Sequence, residues 1–161
     1  MKHIIITISF VLAFVLASCS KDDITTTTNT VVPQRDIPTG TIPNPGWSVA
    51  PGYDYNSMTA VVAVDLTRTY PNITPDDWQI NSGDMLGAFA GNECVGVTTL
   101  PPNDSLFFLY ISSPSVRGAD ITLRYYSAQL HNIFQADTVL HFENNTQVGT
   151  VVDPLTPLFK E

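Results

Sequence analysis

Residues 83–100 read GDMLGAFAGNECVGVTTL, two apolar runs on either side of Ala90-Gly91-Asn92-Glu93. Glycine and asparagine both tolerate positive φ, so Gly91 and Asn92 suit the two central positions of a primed hairpin turn. Such a turn sets Phe89 opposite Cys94, Ala88 opposite Val95, Gly87 opposite Gly96 and Leu86 opposite Val97. One face then carries Leu86, Ala88, Val95 and Val97. The other carries Met85, Phe89 and Cys94, with the two glycines leaving a gap. Both faces are largely apolar, which predicts a hairpin in the middle of a sandwich rather than at its edge.

The chain around this hairpin reads as further strands. Residues 57–66 alternate, with Met58, Ala60, Val62, Val64 and Leu66 on one face. Tyr70-Pro71-Asn72 and Thr74-Pro75-Asp76 are turn chemistry, and residues 78–80 form a short strand or a corner. After the Pro101-Pro102 break, residues 106–112 are a strongly apolar strand. Residues 121–127 alternate again, with Ile121, Leu123 and Tyr125 inward and Thr122, Arg124 and Tyr126 outward. Shorter strands are expected at 130–135 and 139–142, a brief pairing at 148–152 and a closing segment at 155–159. No long segment has helical spacing. Short strands punctuated by turns predict an all-β fold: an antiparallel, immunoglobulin- or fibronectin-like β-sandwich of seven or eight strands, with a closed barrel as the alternative.

The N-terminus has a different character. Met1-Lys2-His3 precedes an apolar run over residues 4–16, too short to span a bilayer and of signal-peptide length. The run ends in Leu16-Ala17-Ser18-Cys19, which resembles a bacterial lipobox and makes Cys19 the expected lipidated residue. Acyl chains there would hold the protein to a bilayer, the outer membrane by expectation. Residues 1–18 are thus expected to be a signal peptide. Residues 19–46, rich in threonine and proline, read as a tether, because they offer little apolar surface to offset chain entropy. Residues 47–161 form the domain.

Cysteine counting leaves Cys94 without a partner if Cys19 carries lipid. An apolar mid-strand position makes it an inert thiol. The chain carries 15 acidic against 7 basic residues, a formal charge of −8. That balance excludes nucleic acid as a partner.

Ser57-Met58-Thr59, Gly83-Asp84, Gly87-Ala88-Phe89, Asn92-Glu93-Cys94-Val95-Gly96-Val97 and Phe142-Glu143-Asn144-Asn145 together resemble a β-sandwich module recurring in exported Bacteroidetes proteins. The likeness covers nearly the whole domain. Val95 stands where members of that group carry arginine. Ser20-Lys21-Asp22-Asp23 resembles the group's surface-export signal, and Asp104-Ser105-Leu106 and Asp137-Thr138-Val139 its O-glycosylation pattern. The resemblance implies a surface-displayed accessory module, with glycan capture among its roles, and carries over no catalytic residue.

Chemistry-bearing residues are sparse. His131 and His141 lie on or beside the late strands and would face each other if those strands pair, as a metal site or hydrolase would need. No metalloprotease, nucleophile-elbow or phosphate-loop motif occurs, so no enzyme and no cofactor is expected. Asp76, Asp77 and Asp84 are the residues to consider for calcium, which takes six to eight oxygens. Trp47, Tyr53, Tyr55, Tyr70, Trp78 and Tyr126 are the aromatic candidates for stacking on a sugar. The expected partners are therefore the membrane, through Cys19, and a glycan or a surface protein.

Overall fold

The computed structural model describes residues 37–49, 51, 56–113 and 117–161. Among these residues eight strands form two sheets, and neither closes into a barrel. They are β1 (Ser57–Ala63), β2 (Met85–Ala90), β3 (Glu93–Thr99), β4 (Leu106–Ser112), β5 (Arg117–Ser127), β6 (Asn132–Glu143), β7 (Gln147–Val148) and β8 (Phe159–Lys160). One sheet runs β4-β1-β7 and the other β3-β2-β5-β6-β8. Pairing is antiparallel except between β1 and the short β7. The fold is a β-sandwich, as the strand spacing predicts.

Alternation places the core. Met58, Ala60 and Val62 of β1 and Phe107, Leu109 and Ile111 of β4 are buried. With them in one apolar cluster are Leu86 and Ala88 of β2, Ile121, Leu123 and Tyr125 of β5, and Phe134, Leu140 and Phe142 of β6. Val64 and Leu66 stay buried as the alternation predicts, although β1 itself ends at Ala63. There the chain tightens into a 3-10 turn, Leu66–Arg68, because Asp65 caps it: its carboxylate accepts from the Thr67 N–H at 2.9 Å. Residues 78–80 are a corner with no strand.

The hairpin forms, with a positive φ of 62° at Gly91, but its register differs from expectation. Phe89 pairs with Cys94 as predicted. Beyond that point Ala88 pairs with Gly96, Gly87 with Val97 and Leu86 with Thr98. Val95 is the extra residue of a β-bulge. It remains buried with Ala88 in the core, whereas Val97 leaves the core set. The hairpin also stands closer to the edge than predicted. β2 is interior, but β3 is the outermost strand of its sheet. Its apolar surface is covered from the opposite sheet instead: an added Cβ at Gly96 would lie 2.5 Å from the Tyr110 carbonyl oxygen of β4.

Two further expectations change. Residues 132–135 and 139–142 are not separate strands but parts of the continuous β6, and Leu130 and His131 lie in the turn before it. The polar stretch between them stays extended because it pairs outward: the Asp137 N–H donates to the Leu158 carbonyl at 2.9 Å, and the Asp137 carboxylate accepts from the Leu158 N–H at 3.0 Å. The domain also begins before Trp47. Among the described residues, those from Ile37 onward belong to the compact unit. Ile37 is buried in the core, and the Gly40 and Ile42 N–H groups donate to the carbonyls of Leu130 and His131, each at 2.9 Å. The part of the supposed tether from residue 37 to 46 is therefore a docked strap. Proline and threonine composition hid this, because an extended segment needs few large side chains when a neighbour supplies its hydrogen bonds.

Candidate functional site

Most of the predicted site residues turn out to build the domain. Trp78 is only 8% exposed and meets Tyr125 edge-to-face at 6.4 Å between centroids. Its indole N–H donates to the Tyr125 hydroxyl at 3.1 Å, and that hydroxyl donates to Oδ2 of Asp84 at 2.5 Å. Asp84 is 0% exposed and accepts also from the N–H groups of Asn81 (3.0 Å) and Ala128 (2.9 Å). Burial raises the Asp84 pKa above its ordinary value, opposed by the donors from Tyr125, Asn81 and Ala128. Burial, and next the Asp84 charge, push the Tyr125 phenol up. Trp78 is thus a core residue with a satisfied donor, not a stacking platform.

The same geometry engages two of the three calcium candidates with protein donors. Both Asp84 oxygens are taken by protein donors beneath the surface. The Asp77 carboxylate caps its own turn, accepting from the Thr74 N–H at 3.0 Å and the Thr74 hydroxyl at 2.9 Å. Asp76 points to solvent. Among the described residues no three His, Cys, Asp or Glu side chains converge as a cation site.

The histidines do not face each other either. His131 sits in the turn before β6, at a φ of 49°, and His141 lies near the far end of that same strand. Ten residues of extended chain put them about 33 Å apart. His141 instead pairs across to Asp120 of β5, Nδ1 to Oδ1 at 2.7 Å, with both side chains largely in solvent. Such an exposed pair contributes little to stability.

Trp47 is half-buried. It meets Phe89 edge-to-face at 5.3 Å, over the notch that Gly87 leaves in β2. The Arg124 guanidinium covers the Phe89 ring at 4.2 Å from its centroid. Trp47 therefore seals the outer face of the five-stranded sheet. Trp47→Ala should cost about 1–2 kcal/mol, read as a shift in a urea midpoint. Tyr126 faces outward as predicted, yet the strap covers it to 3% exposure and its hydroxyl donates to the Ile42 carbonyl. Tyr70 packs edge-on against Phe134. Cys94 is half-buried, with its thiol pKa raised by burial and its S–H directed at the Gly96 carbonyl. Cys19, Tyr53 and Tyr55 lie outside the described residues.

Aromatic surface is presented instead on a face that none of the candidate residues marks. On the outer side of the three-stranded sheet, Phe108 is 47% and Tyr110 53% exposed. Pairing sets Tyr110 beside Thr59 and Thr59 beside Gln147, with Phe108 beside Val61 in the next row. These side chains and Val151 line a groove of about 360 Å³. Gln147 is held at its rim by donating to the Gly149 carbonyl at 2.9 Å. A signal existed: in residues 106–112 the set Phe107, Leu109 and Ile111 already fills one face, leaving Phe108 and Tyr110 for the other.

No known protein family, no curated protein and no solved structure matches this chain.

Proposed function

We propose that the protein is a lipid-anchored, non-catalytic module of the bacterial outer-membrane surface that captures a glycan on the outer face of its three-stranded sheet. The observation that carries this reading is the pair of exposed rings, Phe108 and Tyr110, mounted on a strand whose alternate residues are locked in the core. A rigid strand holds the rings in place before the ligand arrives, which lowers the entropy cost of binding. The Thr59 hydroxyl and the Gln147 amide beside Tyr110 supply hydrogen-bonding groups that a sugar needs. The lipobox-like Leu16-Ala17-Ser18-Cys19 supports the anchoring part.

A second reading is favoured by Val151 and Val152, exposed at 63% and 95% beside the groove. It makes the same face an interface for another surface protein. A glycan-array screen of the full chain in detergent separates the two. Saturable binding to a glycan, lost in the Phe108→Ala/Tyr110→Ala double variant and indifferent to calcium, is the expected result. A blank array with folded protein, together with a stable complex formed by a surface protein that the double variant fails to hold, would replace the glycan with a protein partner.

A further inference from the structure

The chemistry of the same face narrows the ligand, and this step rests on the glycan-binding reading above. The described residues lining the groove are Thr59, Val61, Phe108, Tyr110, Gln147 and Val151, together with Ala60 and Leu109. None is charged. The chain around them carries 15 acidic residues and a formal charge of −8. An anionic ligand would enter an unfavourable field and find no cation to offset it. A cationic ligand would be drawn to the acids elsewhere on the surface and find no counter-charge here.

The register adds shape. Phe108 and Tyr110 are two residues apart on one face of β4, about 7 Å along the strand. The rows behind them differ. Tyr110 continues into Thr59 and Gln147, across two strand spacings, whereas Phe108 continues into Val61. A pyranose has a C–H face that packs on a ring and a rim of hydroxyls that must be satisfied. A unit over Tyr110 has the Thr59 hydroxyl and the Gln147 amide at its rim. A unit over Phe108 meets Val61 and Val151.

From this we infer that the groove takes a linear, uncharged hexopyranose chain, with one unit on Tyr110 and a neighbouring unit on Phe108. Titration calorimetry of the full chain in detergent tests it, with cellohexaose, mannohexaose and polygalacturonate as probes at low and high salt. At least one neutral hexamer should bind with an affinity that salt leaves unchanged, because no ion pair is made. The Phe108→Ala/Tyr110→Ala variant should lose at least about tenfold, with its circular dichroism unaltered. Both side chains are outside the core, so the variant should fold. Binding of polygalacturonate but of neither hexamer would overturn the uncharged ligand while sparing the glycan reading. Neutral-hexamer binding that survives in the double variant would overturn the placement on these rings. Silence from all three probes against folded protein would overturn this inference, while the array decides the broader reading separately.

Discussion

Asp84→Ala should destabilise the domain by about 3–5 kcal/mol, a large share of the 5–15 kcal/mol that holds a typical domain folded. The carboxylate accepts from Tyr125, Asn81 and Ala128 with no solvent access. Alanine would leave three buried donors without acceptors, each a penalty of about 1–3 kcal/mol, partly offset by no longer burying a charge. The loss should spread through Tyr125 to Trp78, whose indole depends on that hydroxyl. Trp78 emission would then shift to the red before the main urea transition. A variant with wild-type midpoint and emission would show that the corner does not depend on this side chain.

Asp84→Asn isolates the charge. Burial sets the Asp84 pKa above its ordinary 3.8. A carboxyl with a higher pKa in the folded than in the unfolded chain contributes fully below the unfolded value. That contribution is lost as pH rises through the folded value. Asparagine does not titrate. The advantage of the wild type over Asp84→Asn should therefore be largest below pH 3.8 and shrink as the pH climbs toward neutrality. Urea melts of both proteins across that range measure it. An advantage that grows with pH would mean that the three donors outweigh burial.

Gly96→Ala should cost about 3 kcal/mol, and bulkier residues there should prevent folding. The added Cβ would stand 2.5 Å from the Tyr110 carbonyl oxygen and 3.2 Å from the Ile111 Cα. Both are backbone atoms of β4, whose pairing with β1 leaves them little room to retreat. The strain falls where the edge of one sheet meets the edge of the other. Gly91→Ala is a useful contrast. An added Cβ at Gly91 meets nothing, and the cost there comes only from the positive φ. A Gly96→Ala protein that melts with the Gly91→Ala protein would refute the close approach.

Much of the sandwich was legible because alternation alone places its strands. The whole of β4 follows from its unbroken apolar run, and the inward set Ile121, Leu123 and Tyr125 from polarity at every second residue. What escaped depends on distant partners. The bulge at Val95 exists in relation to Gly96 and the backbone of Tyr110 and Ile111 in β4, a loop away. The continuity of β6 through Asp137 depends on Leu158. Asp84 looked like a surface acid at the mouth of a hairpin, since nothing local says that Tyr125 and Ala128 will close over it. Two of the aromatic candidates are covered for a similar reason. Trp78 and Tyr126 were judged by loop or outward position, but a corner buried one and the strap covered the other. Phe108 and Tyr110 were overlooked because an apolar run suggests a strand buried on both sides.

The docked strap also decides how the molecule meets mechanical load. Among the described residues, a pull from the N-terminal side would meet Ile37, then the hydrogen bonds of Gly40 and Ile42 to the β5–β6 turn, then the Trp47 contact with Phe89. These attachments lie in series and give way one at a time, each hydrogen bond worth about 1 kcal/mol. β1, with its seven register pairs to β4, is loaded only after they have opened. Peeling the strap would therefore lengthen the chain while the pairing within both sheets stays closed.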